Sequence, residues 1–257
     1  MTSIEIAFVI AFSLCFGSFA NVCIYRLPLD LDIVKDRSHC PKCKKKIIWY
    51  DNIPLLSSLI LSFKCRTCKK KISKQYFIVE LLTGLAFMFF YKILGLSFDF
   101  VLICIIFIIL LIIFFIDLKH FIIPDSLNFS LILIGIIKNF TTQDFLKLNY
   151  NLPDSLLGGA LGYLIIWLII FIYKKIRNKE AMGLGDAKLL SAFGFLLGVK
   201  SIFIILFVAS VLGLLFVLPS LLFKNRSTGS IIPFGPFIIL AAILEYFLNL
   251  QQYMVLN

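Results

Sequence analysis

Apolar residues along this chain fall into long runs, broken by basic or turn-forming stretches. Eight runs stand out, at about 4–25, 76–95, 98–117, 122–139, 153–173, 184–198, 200–223 and 231–250. Most approach the ~20 residues a helix needs to cross ~30 Å of hydrocarbon. Hydrocarbon offers no partner to backbone N–H and C=O groups, so spans of this kind are predicted as helices. The expected fold is an all-α polytopic membrane protein with about eight transmembrane helices and one small polar loop. This divides the chain into a first transmembrane helix (1–25), a cytoplasmic basic loop (26–75) and a membrane core (76–257). The sixth run is short and contains Gly183, Gly185, Gly194 and Gly198, which predicts a tilted or interrupted span. The first run has neither a basic leader before it nor a small-residue cleavage site after it, so it reads as a retained span.

Composition strengthens the membrane reading. Hydrophobic residues make up 61% of the chain and the mean hydropathy is +1.02, whereas soluble domains are nearer half apolar. A net charge of +11 would suit nucleic acid if it were spread over a surface. It is instead concentrated: Arg26 to Lys74 holds thirteen Lys/Arg against four Asp/Glu, and Lys174 to Glu180 holds four against one. Loop charge of this kind sets orientation in a bilayer. The expected partner is therefore the lipid bilayer, with its anionic headgroups, and no nucleic acid. With 26–75 in the cytoplasm, both termini lie outside, and Lys174–Lys179, Lys224 and Arg226 fall inside. The sequence does not fix the oligomeric state.

The same alternation brings two distant acids together. Asp117 closes the third run and Asp186 opens the sixth; both reach one depth on the inner side although 69 residues separate them. An acid within a span costs roughly 2.5–3.5 kcal/mol on insertion scales, so it faces the bundle interior or a watery cavity. Asp99 and Asp154 sit at outer ends, and Glu5 and Glu245 admit interfacial or packing roles. Two readings of Asp117 and Asp186 remain open at this point. They are helix caps or partners of Lys119 and Lys188, much as Asp125 after Pro124 is expected to cap a helix. Or they are a pair sharing one proton, the ionised member activating water and the protonated one polarising a peptide carbonyl. Gly183, Gly185 and Lys188 would then support the site, the glycines by letting backbone come close. A transporter or channel with paired acids is the alternative from another functional class, although no inverted repeat is evident.

Cys40-x2-Cys43 and Cys65-x2-Cys68, with 21 residues between, have near zinc-ribbon spacing. Four thiolates close a tetrahedral shell, which predicts structural zinc. Two disulfides are the rival, disfavoured by a reducing cytoplasm. Lys42, Lys44, Lys64 and Lys69 would favour the thiolates. Cys15, Cys23 and Cys104 lie in spans and read as packing residues. Between the pairs, Ile53 to Phe63 is apolar but too short to cross. It is expected along the inner interface, with Ser57, Ser58 and Ser62 toward water. His39 and His120 read as solvated loop residues.

Several stretches together resemble the prepilin peptidase, or type IV leader peptidase, family over nearly the whole chain. They are GSFANVCIYRLP (17–28), the tetracysteine loop with the second span (40–84), IDLKHFIIPD (116–125), GLGDAKLL (183–190) and IPFGPF (232–237). The resemblance implies that Asp117 and Asp186 are catalytic aspartates in an inner-membrane endopeptidase. It implies removal of a leader from type IV prepilins or pseudopilins at the cytoplasmic face. Family members with a tetracysteine loop also N-methylate the new amino terminus, so S-adenosylmethionine is an implied methyl donor. Glu80 then has two readings, a structural bond to a neighbouring element or a part in methyl transfer.

Overall fold

The computed structural model describes residues 2–34, 38–40, 42–140, 151–178, 182–222 and 232–250. Lys179, Lys224 and Arg226, invoked above for orientation, lie outside them. All extended secondary structure among the described residues is helical, apart from two isolated bridges in the cysteine loop. The chain forms two compact units, Met1–Ile112 and Ile113–Asn257.

In the first unit, α1 (Ser3–Arg26) starts at Thr2, whose hydroxyl accepts from Glu5 N–H while Glu5 accepts from Thr2 N–H. This reciprocal cap satisfies two amides that the first turn cannot. α3 (Gln75–Leu94) runs antiparallel to α1. Tyr91 Oη donates to Glu5 at 2.5 Å, and Asn21 Nδ2 donates to Tyr76 O at 3.0 Å. At the centre of the pair, a Cβ on Gly17 would lie 2.9 Å from Glu80 Cα. The missing side chain lets the backbones meet, as small residues do between membrane helices. The short α2 (Leu56–Ile60) lies in the loop between them. α4 (Phe98–His120) begins in this unit and ends in the second.

The second unit is built on α7 (Leu184–Leu197). α5 (Asp125–Ile137), α6 (Leu152–Arg177), α8 (Val199–Leu222) and α9 (Gly235–Leu248) all pack against it. Almost every residue from Asp186 to Leu197 is buried. The α6–α7 seam is glycine on glycine: a Cβ on Gly194 would sit 2.2 Å from Gly158 O, and one on Gly162 2.8 Å from Leu190 O. Gly198, at φ +81°, ends α7 in a conformation that side chains disfavour.

Among the described residues, five helices are long and apolar enough to cross a membrane: the α1 stretch Ser3–Leu29, α3, α4, α6 and α8 through Pro219. α5, α7 and α9 coincide with the remaining expected spans but are shorter, at 13, 14 and 14 residues. At 1.5 Å per residue, 14 residues reach only ~21 Å.

Two local expectations are corrected. α4 does not stop at Asp117 but continues through His120, and Phe121, at φ 56°, turns the chain. Lys119 and His120 in that last turn suit the negative end of the helix dipole. Asp125 does not cap α5 through its side chain; Pro124 occupies the cap position, and the Asp125 carboxylate pairs with Lys188 instead.

Candidate active site and metal centre

Asp117 and Asp186 come from opposite kinds of helix end. Asp117 lies in the last turn of α4, its carbonyl accepting from Phe121 N–H at 3.0 Å. Asp186 is the third residue of α7, where its carboxylate faces the amide end of the helix and the Gly183 backbone. An acid in a first turn is favoured by the helix dipole. Both side chains are buried, at 4% and 8% exposure. Asp117 Oδ2 and Asp186 Oδ1 have no hydrogen-bond partner among the described residues. They are near enough for the charge on Asp117 to act on Asp186. Buried polar oxygens without partners are rare in folded proteins and call for an explanation.

The surrounding backbone is tight. Gly235, the first residue of α9, lies against Asp117: an added Cβ would fall 2.6 Å from Oδ2 and 3.3 Å from Cγ. Its amide is also directed at this carboxyl. Ile123 fills the space between the two glycine-bearing helix starts. A Cβ on Gly185 would meet Ile123 Cβ at 3.0 Å, and one on Gly235 would meet Ile123 Cδ1 at 3.1 Å. Gly183 occupies the cap position of α7, and a Cβ on it would make only ordinary contact with Asp186 Oδ2, at 3.8 Å. Lys188 Nζ donates to Asp125 Oδ1 at 2.6 Å, tying α7 to α5. Lys119 and His120 are exposed. The lysine-partner reading of the two acids thus finds Lys188 engaged elsewhere.

In the first unit the four cysteines converge. All four Sγ atoms lie within 4.8 Å of one another, and Cys40 Sγ to Cys68 Sγ is 3.9 Å. Zn–S bonds of ~2.3 Å in a tetrahedron place sulfurs ~3.8 Å apart, so the donor set fits zinc. The two turns repeat each other. Lys44 N–H donates to Cys40 O and Cys40 N–H to Lys45 O; Lys69 N–H donates to Cys65 O and Cys65 N–H to Lys70 O. Lys44 and Lys69 both take the left-handed conformation, at φ 55° and 56°. The flanks close as bridges His39–Lys46 and Lys64–Lys71. Backbone amides of Cys68 and Thr67 turned toward Cys65 hold its thiol down at about 6. Beside this centre, Arg66 grips Asp51 with two bonds of 2.7 and 2.6 Å and lies over the Tyr50 ring. The guanidinium holds the Asp51 carboxyl below its ordinary range.

Two family profiles match consecutive parts of the chain: the Bacterial Peptidase A24 N-terminal domain over residues 11–94, and the Type IV leader peptidase family over 104–218. A prepilin leader peptidase/N-methyltransferase of Aeromonas salmonicida is 34% identical over 91% of this chain and 87% of its own length. One of Vibrio cholerae is 36% identical over 91% of this chain and 93% of its own. The chain belongs to the type IV leader peptidase family. A Myxococcus xanthus relative of the same name is 38% identical, the match covering 80% of this chain but 60% of that longer protein. No solved structure matches the chain.

Within this leader peptidase family member, sequence reasoning singled out both acids and all four cysteines, but not Gly235 or Ile123. IPFGPF was visible as a motif, yet nothing in its spacing says that its glycine lies on Asp117. Glu80 was noted without a partner. Its Oε2 accepts from Leu55 N–H at 2.7 Å, which joins α3 to the start of α2.

Proposed function

We propose that this protein is a membrane aspartyl endopeptidase that removes the leader of type IV prepilins or pseudopilins, and that it N-methylates the new amino terminus. The observation that supports the peptidase reading best is the pair of buried carboxyls, each with one oxygen lacking a partner among the described residues. In such a dyad one proton is shared. The ionised carboxylate takes a proton from water as its oxygen attacks the scissile carbonyl. The protonated carboxyl donates to that carbonyl oxygen, and a proton passes to the departing nitrogen as the C–N bond breaks. Gly235, packed on Asp117, and Gly185, packed on Ile123, fix the two helix ends. Lys188 supports the site by binding α7 to α5.

The orientation goes with this reading: inner membrane, eight spans, both termini outside, and the dyad at the cytoplasmic side. Positive charge in the 26–75 loop supports it. The domain reading also follows, with 1–25 a first span, 26–75 a cytoplasmic tetracysteine loop and 76–257 the peptidase core. Cys40, Cys43, Cys65 and Cys68 would hold a structural zinc ion, which fixes the fold of the loop and takes no part in hydrolysis. Methylation rests on the relatives' names and implies S-adenosylmethionine. Glu80, the candidate acid, has one oxygen engaged by Leu55 N–H and does not by itself form a donor site, so no step is assigned to it.

Mass spectrometry of a prepilin incubated with the purified enzyme tests both activities. Loss of the leader, followed by a gain of about one methylene only when S-adenosylmethionine is added, is expected. An unaltered substrate mass overturns the peptidase reading.

A further inference from the structure

The loop between α1 and α3 is strongly basic, yet its middle is tethered well below the loop's ends. Glu80 is the sixth residue of α3, so at 1.5 Å per residue it lies ~7 Å inside the helix's start. Across the pair it faces Gly17 of α1, nine residues before Arg26 and hence ~13 Å from that helix end. Both helices are long and apolar enough to cross a membrane. The Glu80 carboxylate accepts Leu55 N–H at 2.7 Å, which sets the first turn of α2 at this depth. Leu55 itself adopts φ 60°, a conformation costly for a branched side chain and held here by that bond.

Side chains on α2 are sorted for lipid. Leu56, Leu59 and Ile60 are 56%, 55% and 75% exposed, while Ser57 and Ser58 are half-buried. Ser62, expected toward water, is exposed. Trp49, 78% exposed, lies in the turn that precedes the segment. In the same loop Lys42, Lys44, Lys45, Lys46, Lys64 and Lys69 are all exposed. Exposed apolar side chains and exposed cations in one loop match what the surface of an anionic bilayer takes up.

We infer that α2 is a membrane-inserted edge of the tetracysteine loop, with Leu56, Leu59 and Ile60 among the acyl chains of an anionic bilayer and Trp49 at its headgroup level. Glu80 holds it there by accepting from Leu55 N–H, a donor for which hydrocarbon has no partner. The metal centre is thereby moored to the membrane surface from within the lipid.

The chain has two tryptophans, Trp49 and Trp167, so fluorescence can report single positions. The test uses the full chain in phosphatidylcholine–phosphatidylglycerol vesicles, with bromine on the lipid acyl chains or iodide in the water. One sample is Trp167→Phe, which leaves Trp49. Another carries Trp49→Phe, Trp167→Phe and Ile60→Trp, and a third places the reporter by Leu59→Trp. Acyl bromine should quench the reporters at 59 and 60 at least about twofold, and iodide should leave them nearly unchanged; Trp49 should respond most to the shallowest bromine. Quenching at 59 and 60 by iodide and not by bromine overturns the inference, as does protection from both, which would mean that protein covers this face. The assay contains no prepilin, so its outcome is separate from that of the peptidase reading.

Discussion

A methyl group added at Gly235 would lie 2.6 Å from Asp117 Oδ2, closer than real Cβ contacts come. Either the carboxyl or the start of α9 must then move, and shifts of ~1 Å in a catalytic group cost about 100-fold in rate. Gly235→Ala should therefore cut leader cleavage by about 100-fold. Gly213→Ala, whose Cβ would make only ordinary contact with Phe237 at 3.7 Å, should cleave at close to the unaltered rate. Initial rates on one prepilin compare the two. Lys188→Met removes a partly exposed pair, worth little in most proteins. Its cleavage rate should fall a few-fold at most, and a 100-fold loss would place Lys188 closer to the chemistry than its bond to Asp125. At this scale the sequence was most legible where a residue violates its surroundings. Asp117 after seventeen apolar residues is such a violation, and so is Asp186 behind two glycines. Gly235 was not legible, because its role is a contact with a residue more than a hundred positions away. Asp125 looked like a cap because of Pro124, but an ammonium at 2.6 Å competes better for its carboxylate than a backbone amide does.

Among the elements, α7 holds the second unit together, and its seam with α6 tolerates no side chain. Gly194→Ala would put a Cβ 2.2 Å from Gly158 O, so the helices must part. Overpacking of this kind costs ~1–3 kcal/mol. Thermal unfolding in detergent should show a midpoint lowered by several degrees, with cleavage lost in parallel with the folded fraction. An unchanged midpoint would mean that α6 is not packed as described. Each of the eight apolar runs contains a helix, and among the described residues five of these are long and apolar enough to cross a membrane. Helix lengths were less legible. α7 nearly fills its run, whereas α5 and α9 begin only at Asp125 and Gly235, after Pro124 and Phe234 at their caps, and stop at Ile137 and Leu248; apolar character alone does not show where backbone conformation changes. The two cysteine turns were legible from spacing, because two sulfurs three residues apart already dictate the turn.

For the molecule as a whole, the division into two compact units carries its own expectation. The four clustered cysteines lie in the first, and Asp117 and Asp186 in the second. Treating the protein with a chelator should open 38–74 to added protease, read as new fragments by mass spectrometry, since a metal-held cysteine cluster would be the chief staple beside two bridges, the Arg66–Asp51 pair and the Glu80 bond. A loop equally resistant with and without chelator would show that the four thiols are not its staple. Asp117 and Asp186 converge within one unit although 69 residues separate them in sequence. Alternation of the apolar runs predicts a common side for the two acids, whereas the packing of Ile123 against glycines at two helix starts beside them has no signal in the sequence. The decisive measurement is the mass of a prepilin after incubation with Asp117→Asn and, separately, Asp186→Asn. Both substitutions keep the shape of the side chain and remove its ability to hold or give the shared proton. Each variant should fold and leave the leader attached, with cleavage at least ~100-fold below the unaltered enzyme. Cleavage at the unaltered rate by either one would contradict the account.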